Sequence, residues 1–260
     1  MWTAADVLAS VPIALSAKAC SRTTWFDKLP GEHFMALDEY RKKRRFETTP
    51  EPQGASVSAK NESGPLVYVI QKHRASQLHY DFRLEWNGVL LSWAVPKGPS
   101  LDPQIKRLAM ATEDHPIEYA KFEGVIPEGE YGGGTVMLWD EGTWEPQQED
   151  VAAALRKGDL KFTLHGEKLK GSWVLVRTRG FGGKTGRSTW LLIKHRDQFA
   201  SAEDLTQTRP RSVITNRLLA DIAREGGGDI SKAATGDTRS KSKALPGGAK
   251  RQIRRRRAID

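Results

Sequence analysis

Polar and apolar side chains alternate most regularly between Tyr80 and Val95. Apolar residues occupy every second position on both sides of Asn87-Gly88, in the runs Tyr80-Phe82-Leu84-Trp86 and Val89-Leu91-Trp93-Val95. A period of two is the spacing of a β-strand with one buried face, and Asn-Gly between two such runs favours a type I′ turn. The pattern therefore predicts a β-hairpin.

Further short strand patterns follow at close spacing. Residues 135–139 and 142–145 predict a second hairpin around Asp140-Glu141, and residues 160–164 and 173–178 predict a third around a turn at 166–171. We predict a last strand at 190–194 and a short helix at 151–157. Short strands at this spacing predict a mainly β fold, an antiparallel barrel or sandwich, with a few short helices.

Composition divides the chain into three parts. Residues 1–63 form an irregular lead-in with a predicted short helix at 34–45, and residues 64–204 hold the β-rich domain. Residues 205–260 contain a predicted helix at 215–225, followed by low-complexity sequence that includes Gly226-Gly227-Gly228 and Ser240-Lys241-Ser242-Lys243. Such sequence cannot bury a core, so we predict a disordered basic C-terminal tail from residue 226.

The overall composition suits a protein with one buried core. The 260 residues are 38% hydrophobic and include one cysteine, which excludes a collagen-like or disulfide-stapled protein. The longest apolar stretch, 11–15, is far shorter than the roughly 20 residues that cross a bilayer, so we predict no membrane segment. The lone Cys20 fits a reducing compartment, which predicts a cytoplasmic protein.

Charge is distributed unevenly along the chain. Residues 205–260 carry 14 of the 41 Lys and Arg but 5 of the 32 Asp and Glu, so the rest of the chain holds 27 of each sign and the net charge of +9 lies in the tail. A basic tail on a neutral body is typical of a protein that binds a polyanion through counterion release. Nucleic acid is the leading partner, and a solvated tail without a partner is the alternative.

The strand that opens the hairpin carries His79, Asp81 and Arg83 on one face. Neighbours on one face lie roughly 6.6 Å apart, so His79 and Asp81 can bind one ion. His73 would lie roughly 20 Å from His79 on a straight strand, but a turn at 74–77 would bring it to the same ion. Two histidines and a carboxylate suit Mn²⁺, Zn²⁺ or Fe²⁺, and Arg83 beside a divalent ion suggests phosphoryl chemistry. The alternative is a solvent-exposed face on which Asp81 and Arg83 merely pair.

A second cluster lies at residues 113–119. Asp114 before His115-Pro116 indicates a helix start, which would place His115 and Tyr119 on one face. Both can reach one phosphate; alternatively, His115 caps its own turn and Tyr119 belongs to the core. The glycine-rich segment 122–134 can approach a nucleotide backbone, but its glycines suit the tight corners of a small barrel equally well.

Six segments form long motifs: 71–85, 92–100, 113–116, 122–134, 164–173 and 190–197. They closely resemble the 3′-phosphoesterase domain of bacterial ATP-dependent DNA ligase D, and the resemblance runs from about residue 37 to 199. It implies a compact antiparallel β-barrel that uses Mn²⁺, or Zn²⁺, Co²⁺ or another divalent ion, on primer-template DNA. Such a domain removes a 3′-terminal ribonucleoside and then converts the remaining 3′-phosphate to 3′-OH.

The resemblance also implies roles for individual residues. His73, His79 and Asp81 match the metal ligands, and Arg83 and His115 match the catalytic phosphate contacts. The supporting positions are Tyr119, Arg107 and Gln71. In the lead-in, Arg44 and Glu51 fit substrate-binding positions linked to the diesterase step, but Arg45 stands where the family usually has aspartate.

The partners follow from the same resemblance. It implies a bacterial, nucleoid-associated protein that acts on DNA 3′ ends beside a separate ATP-dependent ligase or polymerase and the Ku end-binding protein. A chain of 260 residues would be a stand-alone member. The rival hypothesis is a non-catalytic DNA-end-binding barrel, in which the run Arg254-Arg255-Arg256-Arg257 holds the DNA backbone.

Overall fold

The structure, a computed structural model, describes residues 37–54, 64–178 and 188–237. Its strands are β1 (Leu66–Arg74), β2 (Leu78–Trp86), β3 (Val89–Val95), β4 (Arg107–Ala111), β5 (His115–Pro116), β6 (Gly124–Ile126), β7 (Gly134–Pro146), β8 (Asp159–Gly166), β9 (Lys170–Arg177) and β10 (Thr189–Lys194). Its helices are α1 (Asp38–Lys42), α2 (Val151–Lys157), α3 (Leu205–Thr208), α4 (Leu219–Glu225), α5 (Ile230–Ala234) and a 3-10 helix at Ile117–Lys121.

Eight of these strands close into an antiparallel barrel, which confirms the predicted mainly β fold. Their order is β1-β2-β3-β4-β10-β9-β8-β7, and β7 pairs with β1 to complete the ring. The short strands β5 and β6 add to β3 and β7. Because the ring is closed, each of its eight strands has a partner on both sides.

Strand alternation separates the core from the predicted site. Tyr80, Phe82 and Leu84 of β2 point into the barrel, where they belong to a core rich in tryptophan. The residues between them therefore point outward. On that outer side lies a second, smaller apolar cluster, formed by Tyr40, Val69, Leu90, Tyr119, Ala120 and Leu138. Of the outward polar residues of β2, Asp81 and Arg83 are buried under a covering layer that includes the 3-10 helix, and His79 is half-buried at its edge.

The hairpin predicted at 80–95 is confirmed. Trp86 pairs with Val89 across the turn, and Asn87 and Gly88 have φ angles of 51° and 78°. A type I′ turn requires positive φ at both central residues, which Asn and Gly adopt most readily. The β8–β9 hairpin, β10 and α2 also lie where the sequence predicts them.

The predicted hairpin around Asp140-Glu141 is wrong, because both residues lie within the thirteen-residue strand β7. The register between β7 and β1 shifts beside Ile70 and Gln71, and such an irregularity bends a strand without ending it. Asp140 is fully buried and accepts hydrogen bonds from Tyr68 Oη and from two backbone N–H groups. Asp140-Glu141 is a pair typical of turns, but here its aspartate is a buried hydrogen-bond acceptor within a strand.

The C-terminal segment is more ordered than its composition predicts. The prediction of disorder from residue 226 is wrong for α5, whose first turn is capped by the Asp229 carboxylate. Asp237 accepts hydrogen bonds from the backbone N–H groups of Leu219 and Ala220, where α4 begins, four residues later than predicted. These two aspartates supply the capping that local composition hides.

Some predicted features lie outside the described residues: Cys20, the start of the helix predicted at 34–45, and the tail from residue 238 with its arginine run. Within the described ranges, no helix is long and apolar enough to cross a membrane.

Gly134 is the corner at which the loop between β6 and β7 enters the barrel. Its φ is +148°, and a Cβ there would overlap the carbonyl oxygen of Arg74 in β1. We expect Gly134→Ala to lower the free energy of unfolding by more than about 2 kcal/mol, because backbone must move to admit the methyl group.

The matched control is Gly129→Ala in the same loop. Gly129 also has a positive φ, +88°, but nothing lies within 4 Å of its Cβ position, so about 1 kcal/mol of backbone strain is the expected cost. Urea titration followed by circular dichroism measures both variants. Equal destabilisation would contradict this account of the corner.

Candidate metal and phosphate site

The register of β1 and β2 brings three predicted ligands together. His73 lies directly opposite His79, and Gln71 lies opposite Asp81, because the chain turns between the two strands as predicted. The His73 and His79 rings are 4.8 Å apart between centroids. His73, His79 and Asp81 each offer a ligand atom, and these atoms lie within 4.8 Å of one another.

The donor set of these three residues, the metal triad, fits a divalent ion. Asp81 Oδ2 is 3.5 Å from His73 Nδ1, and Asp81 Oδ1 is 3.6 Å from His79 Nε2. His79 Nδ1 lies 3.0 Å from the Gln77 carbonyl oxygen, which assigns the proton to Nδ1 and leaves Nε2 free to bind metal. His73 Nε2 is buried without a hydrogen-bond partner. Mn²⁺, Zn²⁺ and Fe²⁺ all accept such a mixed nitrogen and oxygen set.

Burial and charge act against each other in the triad. Burial raises the pKa of Asp81, but the charges of His79 and Arg83 outweigh it and hold that pKa well below its usual range. Burial lowers the pKa of His73, which keeps its imidazole neutral at physiological pH. Burial also lowers the pKa of His79, but neighbouring Asp81 more than compensates and the net shift is upward. The ionised carboxylate is the form that binds a cation.

Arg83 is held rigidly beside the triad. Its Nη2 lies 3.4 Å from Asp81 Oδ2, its Nε donates to Gln71 Oε1 at 2.8 Å, and its Nη1 donates to Ser92 Oγ at 2.7 Å. Gln71 Nε2 in turn donates to the carbonyl oxygens of Tyr119 and Phe122, at 3.0 and 2.9 Å. The guanidinium is therefore oriented before any substrate binds. A planar guanidinium held in this way is suited to binding two oxygens of one phosphate.

His115 and Tyr119 meet beside Arg83, although not on the predicted helix. His115 begins the short strand β5 and Tyr119 lies in the 3-10 helix, so the helix expected from Asp114 is wrong: the chain stays extended through Pro116. The two rings are nevertheless 4.8 Å apart. His115 Nδ1 lies 2.9 Å from Arg83 Nη1, and burial, followed by the charges of Arg83 and Arg44, lowers the pKa of His115 well below its usual range.

Arg44 joins the lead-in to the same cluster. Its Nε donates to Glu51 Oε1 at 2.8 Å, its Nη1 to Glu113 Oε1 at 3.3 Å, and its Nη2 is 3.3 Å from His115 Nε2. The guanidinium stacks over Tyr40, with its Cζ 3.8 Å from the ring centroid. The predicted positions Arg44 and Glu51 thus lie beside His115, as parts of a buried ion-pair network.

Arg45, the next residue, faces a different partner. Its guanidinium forms a forked contact with the Glu130 carboxylate, at 2.6 and 3.3 Å, in the loop between β6 and β7. The Arg45 side chain is 69% exposed. Arg45 therefore links the lead-in to the glycine-rich loop through an ion pair with Glu130.

The remaining predicted residue is Arg107, which lies on β4 opposite Leu192. In the described ranges no hydrogen bond or ion pair joins Arg107 to the metal triad or to His115, and its role stays a prediction.

Sequence reasoning missed two members of the site. Glu113 is buried and pairs with Arg44 and Lys43, and Ser92 contacts Arg83. A signal for Ser92 was available, because the two-residue turn of the hairpin fixes its register and places Arg83 opposite Ser92. For Glu113, the only signal in the sequence was its position two residues before His115.

The family model and the known proteins that match this chain point to the same family. Residues 71–177 match the DNA Ligase D 3'-phosphoesterase domain. The chain is 49% identical over 215 residues to the multifunctional non-homologous end joining protein LigD of Pseudomonas aeruginosa, and 44% identical over 146 residues to the corresponding DNA repair protein LigD of Mycobacterium tuberculosis. These alignments cover 82% and 55% of this chain but 24% and 18% of the relatives. The chain therefore spans about a quarter of these relatives or less.

The metal triad predicts tight binding of one divalent ion. We expect His79→Ala to weaken Mn²⁺ binding at least about 10-fold, since losing even an outer-shell partner of a ligand costs this much. Isothermal titration calorimetry measures the affinity. His165→Ala removes an exposed histidine whose neighbour is Glu145 and should leave the affinity unchanged; a loss shared by both variants would contradict the assignment.

Proposed function

The chain belongs to the DNA ligase D 3′-phosphoesterase family, and we propose from this premise that it repairs DNA 3′ ends by metal-dependent hydrolysis. In this proposal it converts a 3′-phosphate to 3′-OH, and it releases a 3′-terminal ribonucleoside in a preceding diesterase step. The observation that carries the proposal is the contact between the metal triad and Arg83, which lies 3.4 Å from Asp81.

The metal triad would hold the divalent ion, for which we propose Mn²⁺. When bound, such an ion supplies Lewis-acid polarisation of a phosphoryl oxygen and lowers the pKa of water. The chain itself provides the rest of the environment. The Asp81 carboxylate connects the metal-binding and phosphate-binding parts of the site, because it faces the two imidazoles and the Arg83 guanidinium. Metal and guanidinium would therefore contact one phosphate group together.

Arg83 and His115 would bind the phosphate oxygens, and Arg44 would support His115 from its other side. Both guanidiniums contact the His115 ring, at 2.9 Å from Nδ1 and 3.3 Å from Nε2. Between two cations the imidazole stays neutral, and a neutral imidazole can donate one hydrogen bond and accept another. We propose that it positions a phosphate oxygen or the leaving oxygen, while Arg83 stabilises the negative charge that develops in the transition state.

The diesterase step would use the lead-in side of the cluster. Arg44 is buried with Glu51 and Glu113. It contacts His115 Nε2, whereas Arg83, beside the triad, contacts His115 Nδ1. A ribonucleoside beyond the scissile bond would lie on that side. Because Arg45 pairs with Glu130 and not with this network, we propose that its departure from the family pattern leaves the diesterase step intact.

The biological setting is proposed from the relatives, which are named as non-homologous end joining proteins. DNA ends that carry a 3′-phosphate or a terminal ribonucleotide would be the substrates. A ligase, a polymerase and the Ku end-binding protein would be the partners, and the bacterial cytoplasm with its nucleoid would be the compartment. A 3′-OH end is what a ligase consumes, so the hydrolysis would precede joining.

Phosphate release from a 3′-phosphate primer-template tests the monoesterase step. With Mn²⁺ we expect turnover that EDTA abolishes, and we expect His115→Ala to lower kcat about 100-fold through lost electrostatic stabilisation. Because His115 is not a member of the triad, the variant should keep the wild-type affinity for Mn²⁺. DNA binding without any turnover would instead favour the non-catalytic end-binding barrel.

A primer with one terminal ribonucleotide tests the diesterase step. We expect Arg44→Lys to slow formation of the 3′-phosphate product about 10-fold, because lysine keeps the buried charge but loses the fork of donors. Removal of the phosphate in the second step should change less than 3-fold. Arg41→Lys, one helical turn earlier, is the matched control and should slow neither step; equal losses in both steps for Arg44→Lys would contradict the division of labour.

A further inference from the structure

A large aromatic side chain, Tyr131, is exposed at the edge of the candidate site. It lies in the loop between β6 and β7 and is 38% exposed, whereas Tyr40 and Tyr119 within the site are 0% and 2% exposed. The difference matters because an exposed ring contributes little to a core and remains available to a ligand.

The backbone on both sides of Tyr131 is fixed. The preceding residue, Glu130, accepts hydrogen bonds from Arg45 and Thr48. The following residue, Gly132, lies near the metal triad: a Cβ at Gly132 would lie 3.7 Å from His73 Cε1. Within the loop, Glu130 N–H donates to the Pro127 carbonyl oxygen at 3.2 Å and Gly133 N–H to the Glu130 carbonyl oxygen at 3.0 Å. The ring is therefore presented from a turn that is hydrogen-bonded internally and tied to the lead-in through Glu130.

The Tyr131 ring lies on the side of the site formed by Glu113, Lys43 and Arg44. Its hydroxyl donates to Glu113 Oε2 at 3.4 Å. Lys43 Nζ and Arg44 Cζ lie 5.0 and 5.5 Å from the ring centroid, and Arg44 in turn contacts His115. A phosphate bound at Arg83 and His115 would thus bring its attached sugar and base past this ring.

We propose that Tyr131 stacks against the base of the terminal nucleotide and determines the preference for an end that carries a base. The inference rests on the proposed function and deepens it. Every base has a π-face, so a tyrosine selects for a nucleotide without selecting its sequence. The flanking cations Lys43 and Arg44 favour the same ligand, because they attract the phosphates on either side of a stacked base.

Two primers that differ at one position test the proposal. Both end in a 3′-phosphate, and one has an abasic tetrahydrofuran residue in place of the terminal nucleoside. With wild-type protein and Mn²⁺, we expect KM for phosphate release to be about 10-fold higher on the abasic end. In Tyr131→Ala the two KM values should become equal, and Tyr131→Phe, which keeps the ring, should restore a ratio near 10.

A binding measurement separates this inference from the proposed function. A primer with 2-aminopurine as the terminal base should lose fluorescence on binding to wild-type protein, because stacking quenches it, and should not on binding to Tyr131→Ala. Phe199→Ala, which removes another exposed aromatic beside Gly171, should quench like wild type. If wild type releases no phosphate from either primer, the proposed function fails, and the fluorescence still decides the role of Tyr131.

Three results would overturn the role of Tyr131. The first is a KM ratio near 1 in wild type. The second is a ratio that stays near 10 in Tyr131→Ala. The third is a terminal 2-aminopurine that wild-type protein does not quench. If the second result came from an equal fold-rise in both KM values, Tyr131 would be a structural support of the loop.

Discussion

The Asp81 carboxylate is the group on which the site depends. It is buried, yet it stays ionised because two imidazoles and the Arg83 guanidinium face it from three sides. A buried carboxylate without partners would cost several kcal/mol and would take up a proton instead. Its partners compensate this cost only in the observed register, since a shift of one residue along β2 would turn Asp81 into the core.

The site lies on the outer surface of the barrel, and this position explains the covering layer. The inward side chains of β2 build the core, so the outward ones would be in water if nothing covered them. The lead-in and the 3-10 helix exclude that water, and each contributes a polar group, Arg44 or the Tyr119 carbonyl, to the network beneath. Core and site therefore use opposite faces of the same strands. A change to the inward face alters stability, and a change to the outward face alters chemistry.

The site was predictable from the sequence where its geometry is local. The metal triad needed one turn between two strands, and the contact of Arg83 with Ser92 followed from an Asn-Gly hairpin. Long-range features were not visible. Asp140-Glu141 has the composition of a turn, but pairing with β1 keeps it in a strand, and α5 is stabilised by packing and capping that its composition does not reveal. Glu113 needed its partner Arg44, which lies 69 residues away.

The charge balance of the cluster couples its two ligands. Three carboxylates face three cations: Asp81, Glu51 and Glu113 against Arg83, Arg44 and Lys43. The cluster is thus close to neutral while its histidines are uncharged. A phosphate monoester would add up to two negative charges to a site with little access to water, where Coulomb repulsion is weakly screened. A divalent cation at the triad offsets that charge. Each ligand should therefore raise the affinity for the other by the same factor, as thermodynamic linkage requires.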